Sequence, residues 1–291
     1  QSEGPVIGSG GPIGLSPQEA TLPRLLRQGG WGSAVVGKWH LANTATGGHD
    51  HPILVGFDHH AGPIGAVGYT DWPKNLAGSW GSVQFDEPGY VTSVNVDDAL
   101  TYVQTMGPRP WFLWLGFTAA HLPLHEPPHE LLSDETVAEL SAGEPGPADL
   151  HRAMVEAMDT ELGRLLAGIP ADVLQRTLVV FIGDNGTPDE AVEEPFTFKG
   201  AKGTLNEGGV HVPAIAWWPG AIQPNQINAE IIHVTDMYTT AARIGGAMDQ
   251  VPSDRVVDGI EQSSYLMAGT PSRRNYMFHY SGTNLGAVRL G

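Results

Sequence analysis

The sequence contains no cysteine. Disulfides, zinc–thiolate centres and cysteine nucleophiles are therefore excluded within these residues. Long apolar runs are missing too. None approaches the roughly 18 residues that a membrane-spanning helix needs, although 41% of the 291 residues are hydrophobic. No signal-peptide pattern is visible at Gln1, and the chain opens without Met, so Gln1 need not be the natural first residue. Basic residues are scarce: Lys plus Arg number 15 against 32 Asp plus Glu, a net charge of −17. Nucleic-acid binding rests on Lys and Arg neutralising phosphates, so that partner class is excluded. An anionic substrate has to be attracted locally, by a metal or a few placed cations.

What is present alternates. Residues 1–18 are rich in Gly, Pro and Ser and read as loop. Thr21, Leu22, Leu25 and Leu26 make a helical stripe that Gly29-Gly30 stops. "SAVVGKWH" is a buried strand ending at Gly37, and residues 42–90 read as a long irregular excursion. A helix is expected over 93–106, a strand in "WFLWLGFT", loop over 118–148 and a helix over 149–167. "TLVVFIG" and "PAIAWWPG" are further strands, and 235–246 a further helix. Such alternation predicts an α/β fold, a mainly parallel central sheet with helices on both faces. Ligands of such sheets bind at the carboxyl ends of strands. Three strands end there in polar clusters: Lys38-Trp39-His40, Ala119-Ala120-His121 and Asp184-Asn185-Gly186.

Asp184 and Asn185 offer hard oxygens suited to Ca²⁺ or Mg²⁺. The same three residues also make an ordinary Asp-Asn-Gly turn. Lys38 and His40 are two residues apart, which in extended chain aims both at one spot. They then suit an anion and a proton transfer; otherwise they are an exposed loop pair. His121 sits in "TAAHLPLHEPPHE" with His125 and His129 nearby. A three-histidine metal site at that spacing needs a helix. Pro123, Pro127 and Pro128 oppose one, which leaves His121 as the functional candidate. Residues 198–220 are glycine-rich and hold Lys199 and Lys202. They lack the G-x-x-x-x-G-K-[ST] pattern of a P-loop.

Taken in order, "GKWHLA", "AAHLPLHEP", "VVFIGDNG" and "KGAKGTLNEGGVHVPAIAWWPG" resemble the sulfatases. These are formylglycine-dependent sulfuric ester hydrolases of the alkaline phosphatase superfamily, and the arylsulfatase-type branch is the nearest match. "EATLPRLLRQGGWGSAVVGKWHLA", "AMDTELGRLL" and "HVTDMYTTAARIGG" extend the likeness over nearly the whole chain. The resemblance implies that Lys38 and His40 contact the nucleophile and steady its alkoxide. It implies that His121 and Lys202 hold sulfate oxygens and assist departure of the alcohol. Asp184 and Asn185 would ligate a divalent ion, Ca²⁺ or Mg²⁺. His211 stands where the family commonly has Arg.

The resemblance also marks what is missing. The family's formylglycine arises in a C/S-x-P-x-R motif ahead of the Lys/His pair, accompanied by two metal-binding Asp residues. None of these occurs in the sequence. Gly269-Thr270-Pro271-Ser272-Arg273 is a look-alike with Gly in the nucleophile's place. The expectation is a single sulfatase-like α/β domain over 1–291, truncated at both ends. Its N-terminal strand and nucleophile segment are absent, and a small C-terminal domain is absent or only begun after about 270. Such a piece is expected to be inactive and to expose strand edge and apolar surface.

The implied substrate is a small-molecule or carbohydrate sulfate ester. The alternatives are phosphonate monoesters or phosphodiesters, or an anion-binding protein without chemistry. Trp72, Trp80, Tyr69 and Tyr90 either stack on a sugar or aryl ring or pack their segment onto the domain. Members of the family are often exported, which favours a periplasmic or secreted location.

Overall fold

The protein is described here by a computed structural model covering residues 14–193 and 195–291. The expected loop at 1–18 lies, up to residue 13, outside the described residues. Helix α1 (Leu22–Gln28) buries Leu25 and Leu26, the stripe seen in the sequence. It leads into strand β1 (Gly32–Gly37), buried along almost its whole length. A strand covered on both faces has to be apolar at every position, and "SAVVG" nearly is. Its side chains alternate between two clusters. Ala34 packs with Tyr102 and Met106, and Val35 with Val55 and Phe57. Val55 follows the short helix α2 (His51–Leu54), whereas Tyr102 and Met106 belong to α3 (Val91–Met106). Helical segments therefore cover both faces.

The segment 42–90, expected to be irregular, holds three strands: β2 (His59–Gly62), β3 (Trp72–Gly78) and β4 (Gly81–Glu87). With β5 (Trp111–Gly116) they make a five-stranded sheet in the order β4-β3-β2-β1-β5. β1 is parallel to β2 and to β5, while β3 is antiparallel to both β2 and β4. The α/β class holds, but the sheet is mixed, because the β3–β4 hairpin extends its parallel centre. β2 and β3 were hidden because polar residues occupy buried positions in them, whereas β4 is largely exposed. His60 and Asn75 are fully buried and pair through Nδ1 and Nδ2 at 3.0 Å. Lys74, buried, meets Asp98 Oδ2 at 2.8 Å and Glu87 Oε2 at 3.4 Å.

The loop-rich stretch 118–148 also contains a helix, α4 (Asp134–Ser141). Ser133 caps it, accepting the Thr136 N–H at 3.3 Å, with two acidic residues in the first turn. That is the standard chemistry of a helix start. Helix α5 (Pro147–Gly168) opens with proline and buries Ala153, Met154, Ala157 and Leu165 on one face.

Residues 14–169 form one compact unit and the described residues from 170 onward another. In the latter, α6 (Ala171–Leu174) precedes β6 (Val179–Ile182). After α7 (Glu207–Val210) comes β7 (Ala214–Trp217), which pairs antiparallel with β6. Helices α8 (Asp236–Ile244) and α9 (Ser263–Ala268) and the hairpin of β8 (Tyr276–Ser281) and β9 (Asn284–Leu290) complete it. A buried ion pair ties α8 to the residues before β8: Arg274 Nε donates to Asp236 Oδ2 at 2.9 Å. The same carboxylate accepts the His233 and Ile260 N–H groups at 2.9 and 2.7 Å. Apolar side chains remain exposed on Trp114 of β5, and on Val180, Ile215 and Trp217 of β6 and β7. Among the described residues no helix is long and apolar enough to cross a membrane.

Candidate active site

Lys38 and His40 follow the carboxyl end of β1, and His121 follows that of its parallel neighbour β5. The Lys38 N–H donates to Gly116 O at 2.8 Å, so the two strand exits are stitched together. A Cβ on Gly37 would lie 2.1 Å from Gly116 O, and φ there is +89°. Only glycine allows the strands to part this closely. The chain beyond is not extended, as the i, i+2 reading assumed. His40 has φ +59°, a left-handed conformation, fixed by its N–H to Ile64 O at 2.8 Å. Lys38 and His40 are thus aimed by a turn, not by strand alternation.

His40 senses both partners. Burial pushes its pKa down, and Lys38 and then His121 push it further in the same direction. Lys38, His40 and His121 therefore share one electrostatic neighbourhood, with His40 held neutral. The His121 Nδ1–H donates to Leu122 O at 2.9 Å, which fixes that nitrogen as the proton carrier and turns Nε2 to other partners. Trp39, between Lys38 and His40, donates from Nε1 to His51 Nδ1 at 2.9 Å. His51 is fully buried, and its Nε2–H donates to Leu15 O at 2.7 Å.

The aromatic residues of 42–90 divide. Tyr69, Trp72 and Tyr90 are buried together with Val91 and Met154 and pack the segment onto the domain. Trp80 is 64% exposed. It sits in the β3–β4 turn, and the pairing His60↔Ala77 places that turn at the amino end of β2, away from Lys38 and His40. A cavity of about 270 Å³ lined by Gly32, Asp58, His59, Tyr102 and Arg109 also lies at the amino ends of β1 and β2. Neither feature belongs to the cluster around His121.

The other candidates sit in the second unit. Asp184 and Asn185 leave the end of β6, Asp184 exposed and Asn185 half-buried. Gly186 follows, and a Cβ there would lie 1.8 Å from Gly208 O. Gly208 in turn has no room for a side chain beside Gly200 O, at 1.9 Å. The glycines therefore let the loop before β7 lie backbone against backbone on the Asp184–Asn185 turn. The Lys202 N–H donates to Thr187 O at 2.9 Å, which carries the exposed Lys202 to that turn. Lys199 is exposed on the same loop. His211 pairs with Glu207 at 3.0 Å, and Arg289 from β9 pairs with the other oxygen of that carboxylate. The Arg289 guanidinium holds the Glu207 carboxyl below the usual range. An arginine distant in sequence thus shares the carboxylate with His211.

The look-alike segment 269–273 is occupied with loop anchoring. Ser272 Oγ donates to Ile231 O at 2.6 Å, and Arg273 meets Glu261 at 3.4 Å. His125 and His129 are also engaged, with Tyr90 and Glu126 respectively. Among the described residues no group of three or more His, Cys, Asp or Glu is placed to hold a metal. Asp184 and Asn185 fit a hard cation in donor type, and supply two of the roughly six to eight oxygens that Ca²⁺ takes.

A sequence profile of the family described as Sulfatase matches residues 2–247. The chain belongs to the sulfatase family. It is 30% identical to the N-acetylgalactosamine-6-sulfatase of Canis lupus familiaris, over 96% of this chain and 54% of that protein. The arylsulfatase of Hemicentrotus pulcherrimus is 29% identical, over 96% and 52%. The steryl-sulfatase of Mus musculus is 30% identical, over 95% and 55%. The chain spans about half the length of these curated relatives. Among solved structures, the PsFucS1 sulfatase from Pseudoalteromonas sp. superposes with a TM-score of 0.76 at 25% identity, over 94% of this chain and 60% of that one. Ps i-CgsB, solved in complex with k-i-k-neocarrahexaose, gives 0.80 at 22% identity, over 95% and 64%, a likeness of fold. Sulfatases as a family use a divalent metal and a formylglycine nucleophile. The sequence holds no cysteine and no Ser-x-Pro-x-Arg, so its residues do not fit the second of these.

Proposed function

We propose that this sulfatase chain supplies the anion-holding side chains of a sulfuric ester hydrolase, and that its substrate is a sulfated sugar. The carrying observation is the cluster of Lys38, His40 and His121 at the adjoining carboxyl ends of β1 and β5. The left-handed His40 is the kind of backbone outlier that a functional site retains. The names of the relatives support the sugar: the canine protein is an N-acetylgalactosamine-6-sulfatase, and Ps i-CgsB was solved with a neocarrahexaose.

In this reading Lys38 offers its ammonium to the charge that develops during attack on sulfur. Neutral His40 offers a ring nitrogen to hydrogen-bond the attacking group. His121 keeps its Nδ1–H on Leu122 O and turns Nε2 to a sulfate oxygen or to the departing alcohol. Lys202 holds a further sulfate oxygen. Asp184 and Asn185 would ligate a divalent ion, Ca²⁺ or Mg²⁺, whose chemistry would be that of a Lewis acid toward the ester. The chain's own residues bind and orient the ester, and without the formylglycine motif they do not turn it over.

Titration calorimetry with inorganic sulfate and a sulfated monosaccharide tests this. Sulfate binding is expected, with affinity raised by Ca²⁺. Lys38→Ala and Lys202→Ala should each weaken it about tenfold, as loss of a charge-assisted bond requires. Unchanged affinity in both variants defeats the reading. Tighter binding of an aryl phosphonate ester than of the sulfate reassigns the substrate class. Aryl sulfate turnover lost in Lys202→Ala refutes the claim that the chain only binds.

A further inference from the structure

We propose that Tyr69 is a positioning residue for His121; the consequence for sulfate rests on the functional reading above, whereas the positioning itself does not. The Tyr69 hydroxyl donates to His121 O at 2.6 Å and lies 3.1 Å from Thr118 O. One hydrogen thus spans the turn that the His121 N–H closes on Thr118 O at 3.0 Å. The phenol is buried, 6% exposed, and burial pushes its pKa far up, so the hydroxyl stays a donor throughout the physiological range. Tyr69 is held in turn. Its own carbonyl accepts the N–H of Val91, the first residue of α3, at 2.8 Å. That bond satisfies a group which a helix start otherwise leaves open.

The ring of His125 lies 3.9 Å from that of Tyr69. His125 is itself fixed: its Nδ1–H donates to Pro123 O at 3.2 Å, and its Nε2 accepts from Tyr90 at 3.2 Å. Burial lowers the His125 pKa, which keeps it neutral and able to accept. Tyr69, His125 and Tyr90 thus clamp residues 118–125 from beneath and leave His121 at the crest. The His121 ring is oriented by its bond to the neighbouring Leu122 O, so the backbone of this turn decides where Nε2 points. A hydroxyl bridging two carbonyls of the turn sets that backbone.

The test reads His121 directly, by ¹⁵N NMR of its ring nitrogens in the full chain. Tyr69→Phe keeps the ring and removes the hydroxyl. The expected result is a shifted and broadened His121 Nδ1 signal, a moved His121 titration midpoint, and sulfate affinity reduced about threefold to tenfold. Trp80→Ala, at the far end of the sheet, should change none of these. A purely packing role lowers the melting temperature but leaves the His121 titration in place, and that result overturns the proposal. If Tyr69→Phe does not fold, the wild-type hydroxyl proton decides. It should exchange slowly and show a nuclear Overhauser contact to the residues of the 118–121 turn, and rapid exchange overturns the proposal. Absence of sulfate binding in the wild-type chain would strike the functional reading alone, since the ring signals still report on Tyr69.

Discussion

Trp39 separates Lys38 and His40, the two side chains on which the functional reading depends. It packs on the Val35, Val55 and Phe57 cluster and donates to His51, edge-on to Phe57 at 5.8 Å. Held there, Trp39 anchors the turn that carries Lys38 and His40. His51 accepts at Nδ1 and donates at Nε2, a tautomer that only the neutral ring provides, and burial lowers its pKa accordingly. His51→Phe retains a ring but orphans the Trp39 N–H and the Leu15 carbonyl. Each orphaned buried group costs about 1–3 kcal/mol. Urea denaturation should show that loss, and the His40 ring signals should move with it. An unchanged midpoint would mean that the indole is held by packing alone.

At the scale of elements, the strands that aim the site were plain in the sequence because they are almost wholly apolar, β1 being buried along almost its whole length. "AVV" and "WFLWL" admit few other readings. β2 and β3 were hidden because their burial is reconciled with polarity by partners far away: Asn75 by His60, and Lys74 by Asp98. No local pattern announces such pairs. The candidate residues were readable from ordered motifs, whereas the support beneath them was not. Tyr69 meets His121 across 52 positions, and Arg289 meets Glu207 across 82. The glycines of the loop before β7 were visible as composition, but their reason lies in the backbone contact between Gly186 and Gly208. Gly186→Ala tests that contact. Neither neighbour is a flexible side chain, so the loop must shift, at a cost of about 1–3 kcal/mol or more. Ca²⁺ and sulfate affinity should fall together, since the turn before Gly186 carries Asp184 and Asn185 and the loop carries Lys202. A variant with wild-type stability and affinity would show that the loop has slack.

Across the whole molecule, the histidines set the acid limit. Burial leads in lowering the pKa of His40, His51, His59, His60, His125 and His233, with His60 brought to about 3. Each therefore binds its proton less readily when folded than the ordinary value of 6.5 would give. Above 6.5 both states are neutral at these rings and their contribution is complete. As pH falls below 6.5, the unfolded chain takes up protons that the folded chain refuses, and stability declines. The decline continues until the folded rings protonate too, His60 last, near pH 3. Glu156, Glu207 and Glu261, whose pKa values are lowered, add to the loss at the acid end. Asp98, raised by burial, opposes it. On the alkaline side Tyr69, Tyr90 and Tyr102 are raised, Tyr90 to about 12, so a second decline begins above 10. Each histidine that gains a proton only on unfolding adds a slope of about 1.4 kcal/mol per pH unit. Unfolding free energies measured from pH 8 to 4 should therefore be flat above about 7 and fall steeply below 6. His60→Gln should flatten that fall by about one proton's worth of slope; equal slopes in the two proteins would show that His60 is not held neutral in the fold.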